Sequence, residues 1–328
     1  MGILVTGGAG FIGSHYVRQL LAGAYGGITA VTVLDAFTYS GNPANLAGVR
    51  DDPRLRVVTG DTCDPAHVDR TMAGHDQVVH FAAESHVDRS ITGAAAFVRT
   101  NVTGTQVLLD AALRHGVARF VQVSTDEVYG SIARGAWTEA QPVAPRSPYA
   151  ASKAAADLLA LAYHHTHGLP VIVTRGSNTY GPYQFPEKLV PLFVTNLLDD
   201  RPVPLYGDGG NVRDWLHVDD HCAGIALAAA RGRPGEVYHL GGGTELTNKE
   251  LTAMLLAACD AGWDMVEHVA DRKGHDRRYA LDSSKAAAEL GYAPRVVFAD
   301  GLAATVAWYR DNRGWWEPLR TRAALAPS

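Results

Sequence analysis

Short apolar runs alternate with helical stretches through the first half of this 328-residue chain, and no other feature restricts its fold as strongly. The runs cover residues 3–5, 30–34, 55–58, 77–81, 120–123 and 171–174, with helical patterns over 13–21, 101–115 and 149–167 between them. Strands apolar on both faces, each returned by a helix, predict an α/β fold with a parallel sheet covered on both sides. The helix at 149–167 has legible ends: Ser147 can cap it, Pro148 suits its first turn, and Gly168 can stop it. After Arg175 the texture changes. Gly, Pro, Asn and Tyr collect over 177–186 and 202–214, as in binding loops on a scaffold. The expected organisation is a sheet domain over 1–176, revisited over 207–232, and a smaller C-terminal lobe over 177–328. The tail after Trp316 is expected to be loosely ordered.

Composition narrows the partners. A net charge of −5 without a basic run leaves no electrostatic footprint for nucleic acid. No stretch reaches the ~20 apolar residues of a membrane span. The first residues enter a strand without a charged leader, so a cytoplasmic protein is expected. Cys63, Cys222 and Cys259 are far apart and odd in number, so neither a disulfide framework nor a metal site is expected.

Thr6-Gly-Gly-Ala-Gly-Phe-Ile-Gly13 joins the first strand to the first helix. Gly7, Gly8, Gly10 and Gly13 leave room for a pyrophosphate at a helix N-terminus, where free N–H groups favour anions. Asp35, after the second strand, would accept from the ribose hydroxyls and repel a 2′-phosphate, which favours NAD over NADP. This makes the sheet a doubly wound sheet of Rossmann type. Asp61, at the end of the third strand, is a candidate adenine contact.

The chemistry concentrates in two places. Ser124-Thr-Asp-Glu127 ends an apolar run, and its adjacent carboxyls can share one cavity only where the strand has ended, because strand neighbours point to opposite faces. Val128-Tyr-Gly130 is expected to supply that turn. Tyr149 and Lys153 lie four apart on one helix face, where the ammonium is expected to lower the phenol pKa. A basic phenolate, an acid and a carboxylate base suit a reaction that removes a proton, moves a hydride and loses water. Two carboxyls side by side push one pKa upward; spacing alone leaves open which one is the acid.

These motifs resemble the extended short-chain dehydrogenase/reductase (NAD-dependent epimerase/dehydratase) family, and within it the dTDP-glucose 4,6-dehydratases, over about residues 1–316. The resemblance rests on the glycine loop, Ala82-Ala-Glu-Ser-His-Val-Asp-Arg-Ser90, Ser124-Thr-Asp-Glu-Val-Tyr-Gly130, Tyr149-Ala-Ala-Ser-Lys153, Tyr180-Gly-Pro-Tyr-Gln-Phe-Pro-Glu-Lys188 and Arg213-Asp-Trp-Leu-His-Val-Asp219. It implies Thr125, Asp126, Glu127, Tyr149 and Lys153 as catalytic residues, with Asp126 the acid and Glu127 the base. For NAD it implies Gly7, Gly10, Phe11, Ile12, Gly13, Asp35, Asp61, Thr62, Ala82, Ala83, Asn101, Ser124, Tyr149, Lys153 and Asn178. For a dTDP-sugar it implies Ser85, His86, Thr125, Asp126, Glu127, Asn178, Lys188, Leu189, Pro204, Tyr206, Arg213, Asn248, Arg272 and His275. It further implies a homodimer formed through the helices at 101–115 and 149–167. Thr179 and Lys273 depart from the family pattern, where Asn and Pro are common.

Two other readings stand beside this one. A sugar-nucleotide 4-epimerase or decarboxylase would not need the Asp126–Glu127 pair. A non-catalytic NAD-binding regulator would not need an intact Tyr149–Lys153 pair. Arg213 could instead pair with Asp214 or Asp219, Tyr206 could be core packing, and Arg89 could pair with Asp88.

Overall fold

The computed structural model describes residues 1–325, with side chains to residue 320. Twelve strands run in chain order: β1 (Gly2–Thr6), β2 (Ala30–Asp35), β3 (Leu55–Thr59), β4 (Gln77–His80), β5 (Arg119–Thr125), β6 (Val171–Gly176), β7 (Asn178–Tyr180), β8 (Val203–Tyr206), β9 (Val212–His217), β10 (Val237–Leu240), β11 (Glu245–Thr247) and β12 (Val266–Val269). Seven of them form one sheet in the order β3-β2-β1-β4-β5-β6-β10, parallel throughout. Alternate residues of each strand feed opposite cores. Ile3, Val5, Val31, Val33, Val121 and Ile172 pack with helices Phe11–Leu21 and Val218–Arg231. Leu4, Leu34, Val78, Phe120 and Val171 pack with Pro65–Met72 and Gly104–Arg114. The exception is the edge strand β3, where Val57 stays 46% exposed, so apolar sequence there does not mean burial on both faces.

The chain order reverses between β1 and β4, and a cleft opens at that point outside the carboxyl ends of the strands. A second lobe closes it from the other side. Its three-stranded sheet β11-β9-β7 and the pair β12-β8 pack with helices Leu189–Leu197, Asn248–Ala258 and Phe298–Asp311 around Trp215, Tyr309 and Trp316.

Three sequence expectations need correction. The return to the first domain is not 207–232. Residues 212–217 belong to the small sheet, while helix Val218–Arg231, strand β10 and helix Ser284–Leu290 cover or extend the large one. The stretch after Trp316 is not loose: Arg313–Leu325 is helix, anchored by the fully buried Trp316 and by Arg320 on Asp199. Residues 326–328 lie outside the described residues. Finally, the helix expected at 101–115 begins earlier, as a π-helix over Val98–Thr103 that runs into Gly104–Arg114. The ends of helix Pro148–His167 follow from its sequence. The Ser147 hydroxyl accepts from the Ala150 N–H at 3.1 Å, and Gly168 takes the left-handed conformation, φ 70°.

Candidate active site

Two joined cavities fill the cleft. The larger, about 500 Å³, runs from the glycine loop and Asp35 to Tyr149, Lys153 and Glu127. The smaller, about 200 Å³, lies between the 85–88 segment and the second lobe. Ser85, Glu127, Asn178 and Lys188 line both.

At the far end of the larger cavity the chain passes from β1 into helix Phe11–Leu21. A Cβ on Gly13 would lie 2.3 Å from the Gly7 carbonyl oxygen, so only glycine lets the helix start this close to the strand. A Cβ on Gly10 would meet little but that same carbonyl, leaving the loop backbone open to the cavity. The Asp35 carboxylate accepts from the Ala9 N–H at 2.9 Å on one oxygen and the Phe37 N–H at 2.8 Å on the other. Each oxygen keeps a lone pair for a ligand hydroxyl. This cradle fits a dinucleotide. Phe11, Ile12, Asp61, Thr62, Ala82 and Ala83 also line it. Asp61 is partly occupied, accepting from the Cys63 N–H at 2.9 Å and pairing with Arg99 at 2.8 Å.

Asn101 does not line the cavity. Its amide accepts from the Glu84 N–H at 2.8 Å and donates to the Glu84 carbonyl and to Ser152 Oγ. It holds the cavity-lining Glu84 segment against the Tyr149 helix, so its assignment to the cofactor becomes a positioning one. The π-helix turns this side chain inward.

Tyr149 and Lys153 share a helix face and both line the cavity, yet the phenol pKa is raised on balance, not lowered. Lys153 Nζ donates to the Val123 carbonyl at 2.7 Å, at the end of β5. The phenol is pushed up, first by burial and then by the Glu127 and Asp126 charges, while its hydrogen bond with Thr125 opposes the rise. Burial lowers Lys153 to about 8, against the pull of Asp157. Asp157, one turn further along, accepts from Ser124 Oγ and from Arg175 Nε, each at 3.0 Å. The sequence reading missed buried Asp157, although its four-residue spacing from Lys153 put it on the same helix face.

β5 ends at Thr125, and the turn begins at Asp126 itself, a 3₁₀ turn over Asp126–Tyr129. Thr125 Oγ accepts from the Glu127 N–H at 3.2 Å and donates to Asp126 Oδ1 at 3.2 Å. Asp126 is 2% exposed and its Oδ2 has no partner. Burial, then Glu127 and Asp214, raise its pKa well above the usual aspartate value, against Arg213 and the Thr125 hydrogen bond. Glu127 is also raised by burial, but Arg272, Arg213 and Lys188 face it and oppose the rise. The two carboxyls therefore differ in balance: Asp126 has Glu127 and Asp214 against Arg213, whereas Glu127 has Arg272, Arg213 and Lys188 against Asp276. This difference favours the proton on Asp126 and the charge on Glu127, a bias that spacing could not give.

In the smaller cavity the structure brings together Ser85, His86, Asn178, Lys188, Leu189, Pro204, Tyr206, Arg213, Asn248, Arg272 and His275. Arg213 is buried, donates to the Val212 and Asp276 carbonyls and stacks over Tyr279 at 4.3 Å, so it does not pair with Asp214 or Asp219. The Tyr206 hydroxyl donates to Asp88 at 3.3 Å instead of packing in a core. Lys188 Nζ donates to the Ser85 carbonyl at 2.6 Å. His275 contacts Asp271 at 2.6 Å, and burial lowers its pKa to about 4. Arg89 meets Glu187 at 3.3 Å and the Tyr39 ring at 4.0 Å. Glu187 lines both cavities and was missed, although it sits beside Lys188 in a loop already marked as binding.

The GDP-mannose 4,6 dehydratase family profile matches residues 4–305. A dTDP-glucose 4,6-dehydratase of Streptomyces antibioticus is 67% identical over 327 residues, covering 99% of this chain and 97% of its own. Among solved structures, a dTDP-glucose 4,6-dehydratase of Streptomyces venezuelae with NAD bound superposes with a TM-score of 0.97 at 65% identity, covering 97% of this chain and 100% of that one. One from Bacillus anthracis in complex with NAD gives 0.90 at 46% identity, covering 97% and 99%.

Proposed function

This chain belongs to the dTDP-glucose 4,6-dehydratase family of extended short-chain dehydrogenases, and from that premise we propose that it converts dTDP-glucose to dTDP-4-keto-6-deoxyglucose with tightly held NAD. The observation that carries the reading is the split environment of Asp126 and Glu127. Elimination of water needs an acid and a base on adjacent carbons, and a plain epimerase needs neither.

The glycine loop and Asp35 would hold NAD, with its nicotinamide at the Tyr149 end. Bound NAD supplies a hydride acceptor for C4 and a donor for C6, and its cationic ring offsets the carboxylates there. Tyr149 takes the proton of the sugar 4-hydroxyl, and Thr125 hydrogen-bonds the same oxygen. The 4-ketone acidifies C5, and Glu127 removes that proton. Asp126 gives its proton to the departing C6 hydroxyl, which leaves as water, and C5 is then reprotonated. Arg213, Arg272, Lys188, Asn178 and Asn248 face the substrate diphosphate, where cations and amides are needed. Pro204 and Tyr206 form the platform for the base.

The same reading makes the protein a cytoplasmic homodimer with residues 1–176 as its NAD-holding part. Val98 and Leu158, 52% and 55% exposed, support pairing through the helices Val98–Arg114 and Pro148–His167.

The test is incubation of the purified protein with dTDP-glucose and no added cofactor, following the base-induced absorbance of the 4-keto product and loss of one water by mass. Parallel arms with GDP-mannose and UDP-glucose should give little product. Turnover of UDP-glucose to its 4-epimer without dehydration would overturn the proposal.

A further inference from the structure

The Thr179 and His221 pair is used by nothing above. His221 sits in the first turn of helix Val218–Arg231, is 2% exposed and lines the larger cavity. Its Nδ1 lies 2.7 Å from Thr179 Oγ1. The Thr179 hydroxyl has one proton, and it donates to the Ser177 carbonyl at 3.2 Å. With the proton so assigned, the imidazole takes the tautomer that donates from Nδ1, and Nε2 keeps its lone pair. That Nε2 is buried without a partner.

Its place is defined by the sheet. A Cβ on Gly176 would lie 2.4 Å from Nε2, so the missing side chain lets the ring reach the end of β6. Gly176 pairs with Thr125 in the register of β5 and β6. His221 therefore lies at the reacting end of the cavity, away from Asp35. Two more buried acceptors without partners line the same cavity: Asn178 Oδ1 and Gln184 Oε1. The Gln184 amide nitrogen is already committed to the Thr179 carbonyl at 2.8 Å, so its oxygen faces as an acceptor.

Acceptors without donors mark a site for a donor-bearing ligand group. Resting on the reading of this cavity as an NAD site, we propose that His221 Nε2, aligned by Thr179, accepts from the carboxamide of the nicotinamide and fixes the ring for hydride transfer. Burial lowers the His221 pKa to about 4, so the imidazole is neutral in the working range and adds no repulsion to a cationic ring.

Two variants separate this role from a structural one. His221→Asn can keep a bond to Thr179 but lacks an atom at the Nε2 position; His221→Gln places its amide there and gives up the Thr179 bond. The readout is exchange of labelled NAD from the purified holoenzyme. The expected result is release about 10-fold faster in His221→Asn, the loss of one hydrogen bond to a buried group, and near wild-type release in His221→Gln. Affinity for dTDP should be unchanged in both. Thr179→Val, which frees the ring without removing it, should release NAD at an intermediate rate. Wild-type retention in His221→Asn together with fast release in His221→Gln would overturn the proposal. Wild-type protein that retains no NAD would instead refute the cofactor assignment itself.

Discussion

Replacing Asp126 by Asn should slow dehydration by orders of magnitude and at the same time make the folded protein more stable at neutral pH. The carboxyl is buried, its Oδ2 has no partner, and Glu127 and Asp214 face it. In the unfolded chain an aspartate loses its proton near pH 3.8, while in the fold Asp126 keeps it well above that value. Above the unfolded pKa the folded state therefore binds more protons than the unfolded one. Stability is full below that pKa and falls as pH rises toward the raised one, by about 1.4 kcal/mol per pH unit. Asparagine has the shape of the neutral acid and no proton to lose. The difference between variant and wild type should therefore grow across this window, each kcal/mol moving the unfolding midpoint by roughly 2 °C. Thermal unfolding of both proteins, saturated with NAD, at a series of pH values from 4 to 8 reads this slope. Catalysis should move the other way. Product formation should fall by about 10²–10⁴-fold, the contribution of a general acid, while solvent deuterium still enters C5 because Glu127 is intact. Parallel stability curves for the two proteins would refute the claim that Asp126 is held neutral.

Other outcomes follow from the same geometry. Glu127→Gln should lose both product and C5 exchange, by about 10²–10⁴-fold, as read by mass spectrometry in D2O. Arg272→Met should weaken dTDP-sugar binding about 10-fold or more, the loss of a charged hydrogen bond, in calorimetric titration with NAD retention unchanged. Arg175→Met leaves Asp157 buried and unpaired and should cost about 3–5 kcal/mol in denaturant unfolding. That deficit should shrink in acid, where Asp157 is protonated. Leu158→Glu should shift the protein toward monomer in light scattering.

The sheet domain was legible because its period is local: six apolar runs and a glycine turn state a parallel sheet without reference to the rest of the chain. The ends of helix Pro148–His167 were legible for the same reason, each set by one residue. What escaped depended on distant partners. β10 is four residues long, and only pairing with β6 makes it part of the large sheet. The spacing of Tyr149 and Lys153 gave the shared face correctly. It could not say that a strand-end carbonyl would hold the ammonium while two carboxylates raised the phenol. The adjacency of Asp126 and Glu127 announced unequal acids. What sets them apart is Asp214 beside Asp126 and Arg272 and Lys188 beside Glu127, with Arg213 facing both, residues up to 146 positions away from them in sequence.

The π-helix over Val98–Thr103 has a consequence for how this protein can vary. Its looser turn absorbs one more residue than an α-helix would, and each residue rotates an α-helix by about 100°. Val98 faces outward and Asn101 inward only at that count. Shortening the segment by a single residue would return it to regular winding and swing Asn101 off the Glu84 segment, although Thr125, Asp126, Glu127, Tyr149 and Lys153 lie outside it. Insertions and deletions here should be tolerated far less than substitutions, which gives a stretch without catalytic residues a fixed length.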